Sequence, residues 1–197
     1  MSERGLFIVL EGIDGSGKTT LRDGICNSLK SNGFDAIPTA EPTNESIGRF
    51  LRDGGTDNQL AEALLFVADR ACHTDDIRDK VKNGISVVCD RYYASTLAYQ
   101  SAGSGGPDYD LLVTLNELAT IEPDVTFLLD IDPEKGMSRV DDRGEERSKF
   151  EKLEFQKRVR AKYLEIAEEK GFIILDATLS KETLLSQAME HIMEKKR

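Results

Sequence analysis

Eight consecutive residues, Gly12-Ile13-Asp14-Gly15-Ser16-Gly17-Lys18-Thr19, fill every fixed position of the phosphate-binding pattern G-x-x-x-x-G-K-S/T. Glycine at 12, 15 and 17 lets backbone N–H groups curl around phosphate oxygens with no Cβ in the way. Lys18 can bridge the β- and γ-phosphates of a nucleoside triphosphate, and the Thr19 hydroxyl can sit on Mg2+. Ile13, Asp14, Ser16 and Thr20 complete the cradle. The bland alternative is a glycine-rich turn with no ligand. Context argues against it: the apolar run Leu6–Leu10 reads as a buried strand, and a helical pattern runs from Lys18 to about Lys30. The motif thus sits between a strand and a helix N-terminus, where the helix dipole adds to anion affinity.

Two further groups of residues can do chemistry. The apolar run Ile85–Cys89 ends in Asp90-Arg91-Tyr92. A carboxylate at the tip of a strand beside the phosphate loop can hold Mg2+, usually through water, so Asp90 is the expected metal-side carboxylate. Its rival is Asp132, but Asp132 precedes Pro133 and Glu134, which is an N-cap followed by proline at the first helical position. Arg91 would then face a phosphate rather than form a surface ion pair. In the long helical pattern Asn58–Asn83, Phe66 and Arg70 are four residues apart and share a face. A ring beside a guanidinium can stack on a flat base while the guanidinium donates to a ring carbonyl. Cytosine offers an amino donor at that edge, which an arginine cannot accept, so the pair suits thymine, uracil or the O6 of guanine. Phe66 by itself is as compatible with a core position. The stripe Leu60, Leu64, Val67 and Ala71, flanked by Ala61, Leu65, Ala68 and Cys72, reads as core. His73 reads as a polar residue on the helix surface, and neither it nor His191 is given a chemical role.

These residues need elements to hold them. Apolar runs at Leu6–Leu10, Phe34–Ile37, Ile85–Cys89, Val125–Leu129 and Phe172–Leu175 alternate with helical segments. Near-continuous runs of this kind suit parallel strands covered on both faces and joined by βαβ crossovers. The expected architecture is α/β, a five-stranded parallel sheet with helices on both faces, as one domain over residues 1–197. Ligands bind beyond the carboxyl ends of such strands. Gly12, Glu41-Pro42 and Asp90-Arg91 all fall at those ends, so one shared cleft is expected. The charged segment 141–149, with Arg143, Gly144 and Arg147, reads either as a solvated loop or as a lid, about 141–150, that carries an arginine over the phosphates.

With 36 acidic against 26 basic residues, the net charge of −10 argues against a nucleic-acid scaffold. No apolar run reaches the roughly 20 residues needed to span a bilayer. Met1 to Gly5 lead directly into the first strand without a signal peptide, and Cys26, Cys72 and Cys89 lack C-x-x-C spacing. Reduced structural thiols in a cytoplasmic protein are the expectation. No N-K-x-D tetrad for reading guanine follows a late strand, which weakens the signalling-GTPase reading. No second phosphate loop or basic DNA-binding face points to a helicase or recombinase.

Over nearly its whole length the chain resembles the thymidylate kinases, which phosphorylate dTMP with ATP. The resemblance is carried by Leu10 to Thr20, Glu41-Pro42-Thr43, Leu64-Leu65-Phe66-Val67-Ala68-Asp69-Arg70, and most specifically by the run from Asp90 to Gln100. It implies the five-stranded parallel fold of the nucleoside monophosphate kinases, ATP and Mg2+ as cofactors, dTMP as substrate, and a homodimer. It implies that Phe66 stacks on thymine, Arg70 donates to thymine O4, and Thr96 contacts the base edge. It also implies that Tyr99 lies beneath the deoxyribose, Asp14 meets the 3′-hydroxyl, and Arg91 clamps the acceptor phosphate. Pro42 and Ser95 belong to the same pocket. Arg139 would pack on adenine, with Asp176-Ala177-Thr178 closing over it. Some members carry an arginine in the phosphate loop at the position of Gly15 and others supply it from the lid. The chain resembles the second kind, with Arg143 the first candidate and Arg147 the second. It departs from many bacterial members in lacking Gly-Gly after Pro42, so either Arg49 or Arg52 could assist the acceptor phosphate. Gly103 to Pro107 receives no role.

The resulting expectation is in-line phosphoryl transfer from Mg·ATP to dTMP, giving dTDP, with positioning and charge neutralisation as the catalytic means. Two rivals remain. One is a P-loop kinase for another monophosphate or a nucleoside. The other is a non-catalytic nucleotide switch, which would have no use for a second base pocket.

Overall fold

The computed structural model describes residues 4–103, 105–140 and 146–196, without the side chains of 146–149. Five parallel strands form one sheet: β1 (Phe7–Glu11), β2 (Ala36–Ala40), β3 (Ser86–Asp90), β4 (Val125–Asp130) and β5 (Ile173–Asp176), in the order β2-β3-β1-β4-β5. The connections run through α1 (Lys18–Ser31), α2 (Ser46–Arg52), α3 (Gln59–Lys82), α4 (Tyr93–Ala102), α5 (Tyr109–Glu117), α6 (Pro133–Arg139) and α7 (Glu146–Lys170), and α8 (Lys181–Lys195) ends the chain. The expected fold class is thus the observed one.

Both faces of the three inner strands, β1, β3 and β4, are buried, which is why they read as apolar runs rather than as alternating ones. Along β1, Ile8 and Leu10 join a core with residues of α1, α4, α7 and α8, while Phe7 and Val9 join a second core with Ile77 and Val81 of α3. All five carboxyl ends lie on one edge. The phosphate loop, Glu41-Pro42-Thr43, Arg91, Asp132 and Ala177 follow them in turn.

Four expectations need correction. The second strand is Ala36–Ala40, not Phe34–Ile37, and it runs through Pro38. Proline reads as a breaker, but β2 is an edge strand, where a missing N–H can face away from the ladder. The α3 stripe expected to be core is turned outward: Leu60 and Leu64 are each nearly half exposed, and Ala71 and Cys72 are exposed as well. The face of α3 that packs inward carries Ala63, Asp69, Arg70, His73, Thr74, Ile77 and Val81. Apolar content misled because polar partners inside the fold satisfy this polar face. His73 is therefore buried, not a surface residue. Among the cysteines, Cys26 and Cys89 are buried free thiols, but Cys72 is exposed and has no packing role of the kind expected.

Candidate active site

The phosphate loop is shaped by close backbone approach. A Cβ on Gly15, at φ 77°, would lie 2.1 Å from the Gly136 carbonyl oxygen, so no arginine fits at this position without a shift of α6. Gly12, at φ 142°, is equally confined against the Leu129 carbonyl, 2.6 Å from such a Cβ. The N-cap of α1 is Gly17, which offers no side chain to the first-turn N–H groups, leaving them to face an anion. Lys18 is folded back over the loop, donating to the Gly12 carbonyl at 3.1 Å and the Ile13 carbonyl at 2.9 Å. Burial lowers its ammonium to about 8, with the nearby Arg91 charge adding to the effect.

Asp14, Gly15, Ser16, Gly17, Lys18, Thr19, Thr20, Asp90, Arg91, Arg139 and Ala177 all line one cavity of about 910 Å3. It continues between α1 and α8 past Leu21 and Leu185. Ile13 is buried beneath the loop. The Thr19 hydroxyl donates to Asp90 at 2.6 Å, so two hard oxygen donors meet at the cavity mouth. Among the described residues no group of three or more His, Cys, Asp or Glu could hold a metal. That donor set fits Mg2+, which binds through one or two protein oxygens and takes phosphate and water for the rest. Asp132, the rival, caps α6 by accepting from the Glu134 and Lys135 N–H groups. Arg139 donates from both terminal nitrogens to the Ala177 carbonyl at 3.1 Å, bringing together the two residues expected around a base. Asp176 accepts from the Thr178 N–H and hydroxyl, which shapes the loop after β5.

A second cavity, about 280 Å3, is lined by Glu41, Pro42, Glu62, Phe66, Arg70, Arg91, Tyr92, Ser95, Thr96, Tyr99 and Gln100. Every residue expected around the acceptor is in this list except Asp14, which lines the first cavity and reaches Arg91. Arg70 is 1% exposed and heavily partnered. Its Nε donates to Glu41 at 2.8 Å, Nη2 to the Thr96 hydroxyl at 2.9 Å, and Nη1 to Asn116 Oδ1. Glu41 is shared with His73, whose Nδ1 lies 3.0 Å away while its Nε2 meets the Thr39 hydroxyl at 2.8 Å. The guanidinium is therefore locked in one plane at the pocket wall.

Arg91 lines both cavities. It has a left-handed backbone, φ 70°, alone in this among the described non-glycine residues. Such a conformation costs about 1–3 kcal/mol and persists only where surroundings fix it. Its Nη2 pairs with Asp14 at 2.5 Å, and its guanidinium lies 5.0 Å from the centre of the Tyr99 ring. Behind it, Glu11 is fully buried and accepts from the Tyr92 N–H, the Ser95 N–H and hydroxyl, and the Tyr163 hydroxyl. Burial raises the Glu11 carboxyl above the ordinary range.

Some expected residues are not at the site. Arg52 donates to the Pro42 and Thr43 carbonyls and Arg49 to that of Asn44, so both brace the loop after β2, and neither lines either of these two cavities. Arg143 lies outside the described residues, and Arg147 belongs to α7 without a described side chain. Residues to which sequence reasoning gives no role include His73, Asn116, Glu11 and Tyr163. It places Glu41 at the cleft, but not as the partner of Arg70 and His73. Tyr163, deep in α7, carries no local signal.

Comparison with known proteins agrees with this geometry. The chain is 42% identical to the thymidylate kinase of Halothermothrix orenii, over 92% of this chain and 93% of that protein. It is 44% identical to a probable thymidylate kinase of Methanocaldococcus jannaschii, over 88% and 87% respectively. It is 39% identical to the thymidylate kinase of Desulfovibrio desulfuricans, over 95% and 94%. With the thymidylate kinase family model matching residues 10–188, the chain belongs to the thymidylate kinase family.

Proposed function

We infer that the chain carries out its family's reaction, transfer of the γ-phosphoryl group of ATP to dTMP to give dTDP and ADP. The observation that carries this reading is Arg91, which lines the phosphate-loop cavity and the base-sized cavity alike. One cation at the junction of two anion sites offsets the repulsion between donor and acceptor phosphates. ATP occupies the larger cavity, its phosphates on the N–H groups of residues 12–20 and its base packed on Arg139, beside the loop that carries Ala177. Thr19 and Asp90 would hold Mg2+, which supplies charge neutralisation on the transferred group. Thymine lies against Phe66, with its O4 toward the fixed Arg70 guanidinium. Pro42, Ser95, Thr96 and Tyr99 form the rest of the pocket, and Asp14 meets the sugar hydroxyl. A phosphate oxygen is already a competent nucleophile at neutral pH, so alignment suffices and no strong base is required. A coupled ADP-release assay over monophosphates and nucleosides tests the reading. dTMP must be the preferred acceptor, and turnover indifferent to any acceptor would overturn it.

The lid, about 141–150 within a single domain spanning 1–197, supplies the second arginine, Arg143 before Arg147. Steric exclusion of an arginine at Gly15 supports a lid origin. Arg143→Ala will depress kcat far more than dTMP affinity; a loss confined to dTMP affinity would point to another lid residue.

The outward stripe of α3 supports a homodimer, since Leu60 and Leu64 would otherwise remain in water. Equilibrium sedimentation should give twice the mass of one chain, and Leu64→Glu should reduce it to one. A wild-type monomer at micromolar concentration would reject this. Among the described residues no helix is long and apolar enough to cross a membrane. A cytoplasmic location suits the three free thiols.

A further inference from the structure

Arg91 is the hinge of the proposed reaction, and something must hold still a left-handed arginine that lines both cavities. Asp14 holds it from one side only, pairing with Nη2 from a side chain that is 57% exposed. The buried face is different. Arg91 Nη1 donates to the Ser95 hydroxyl at 3.3 Å and the Tyr163 hydroxyl at 3.4 Å. Those hydroxyls lie 2.7 Å apart, and both donate to one oxygen of Glu11, at 2.6 Å from Ser95 and 3.1 Å from Tyr163. A hydroxyl whose proton is committed to a carboxylate turns its lone pairs elsewhere, here toward the guanidinium. The other Glu11 oxygen accepts the N–H groups of Tyr92 and Ser95, so the same carboxylate caps α4 and pins the turn that carries Arg91. Tyr163 is 1% exposed and comes from α7, the helix that follows the lid sequence. Arg160, one turn earlier, anchors α7 to Asp130 through two ion contacts at 2.7 and 2.8 Å.

We propose that Tyr163 is a positioning residue for the acceptor phosphate, acting through Ser95 and Glu11 on the Arg91 guanidinium. The proposal rests on the reading of Arg91 as the clamp on that phosphate. Tyr163 touches neither cavity, so its effect reaches substrate only through Arg91.

Tyr163→Phe removes the hydroxyl and keeps the ring in the core. Binding is measured by calorimetry for dTMP and for thymidine, which shares the base and sugar but has no phosphate. The expected result is a loss of dTMP affinity of about three- to tenfold, the scale of one hydrogen bond. Thymidine affinity should stay within about twofold on the same reasoning. Glu11→Gln, which weakens the shared acceptor of both hydroxyls and lines neither cavity, should show the same selectivity should Tyr163→Phe fail to fold. In an Arg91→Ala background, Tyr163→Phe should cost nothing further, because coupled residues are not additive. Equal loss for both ligands, no loss for either, or full additivity with Arg91→Ala would overturn the proposal. A wild-type chain that binds dTMP no tighter than thymidine would instead refute the clamp, and the proposal with it. A dTMP preference undiminished by Tyr163→Phe would refute the positioning role alone.

Discussion

Lys18→Ala will lower kcat by about 10²–10³-fold, the usual cost of removing one preorganised donor to a developing anionic centre. The fold should survive, since the Lys18 ammonium bonds only loop carbonyls and a loop hydroxyl, and far-ultraviolet circular dichroism should be unchanged. Lys18 has a second, more diagnostic signature. Its ammonium is lowered to about 8 because burial penalises the charge and Arg91 stands nearby. A triphosphate placed on it reverses the balance and favours the charged form. At pH 8 roughly half a proton should therefore be taken up when ATP binds, and less as pH falls below that value. Calorimetry in two buffers of different ionisation enthalpy reads this uptake, and Lys18→Ala should abolish it. A fully active Lys18→Ala protein, or one with unchanged proton uptake, would remove Lys18 from the phosphate site.

The sheet and the phosphate loop were legible because their signals are local. Apolar runs followed by glycine-rich or acidic turns mark buried parallel strands, and the glycine spacing is fixed by backbone geometry at the phosphates. The cleft could be anticipated from topology, since motifs at strand ends must share one edge. What stayed hidden was side-chain partnership across the fold. Nothing in the pattern of α3 says that Asp69, Arg70 and His73 face inward and Leu60 and Leu64 outward, because the inward face is stabilised by Thr43, Glu41, Thr39 and Asn116 from other segments. The role of Glu11 stayed hidden because its four donors lie at least 81 positions away in sequence. The run of β2 through Pro38 stayed hidden for the opposite reason: a local rule about strands is relaxed at an edge, and edge position is a property of the whole sheet.

The network around Arg70 makes its replacement the second large effect, and makes it two effects at once. In Arg70→Ala, Glu41 retains only His73 as a partner, while Thr96 and Asn116 lose their donor. Breaking a buried pair in this way costs about 3–5 kcal/mol, so a clear fall in melting temperature is expected. The loss in kcat/KM for dTMP should reach tenfold or more, since a hydrogen bond to a charged donor is worth about 1.5–3 kcal/mol. ATP affinity should hardly change, because Arg70 lines only the smaller cavity. Stability and recognition separate through the choice of acceptor. A guanidinium held by Glu41, Thr96 and Asn116 cannot turn away from a cytosine amino group, so the wild-type protein should reject dCMP strongly. dUMP, which keeps O4 and lacks only the methyl, should be used with a penalty of about 1–3 kcal/mol. Arg70→Lys keeps a charge near Glu41 but loses the planar fork, so it should recover stability without recovering dTMP preference. In both variants the ratio of dTMP to dCMP turnover should collapse toward unity while the dTMP to dUMP ratio moves little, because the methyl pocket against Phe66 is untouched. A folded Arg70→Ala protein that still rejects dCMP would mean that the base is read elsewhere, and that the guanidinium serves only to hold the loop after β2 against α3.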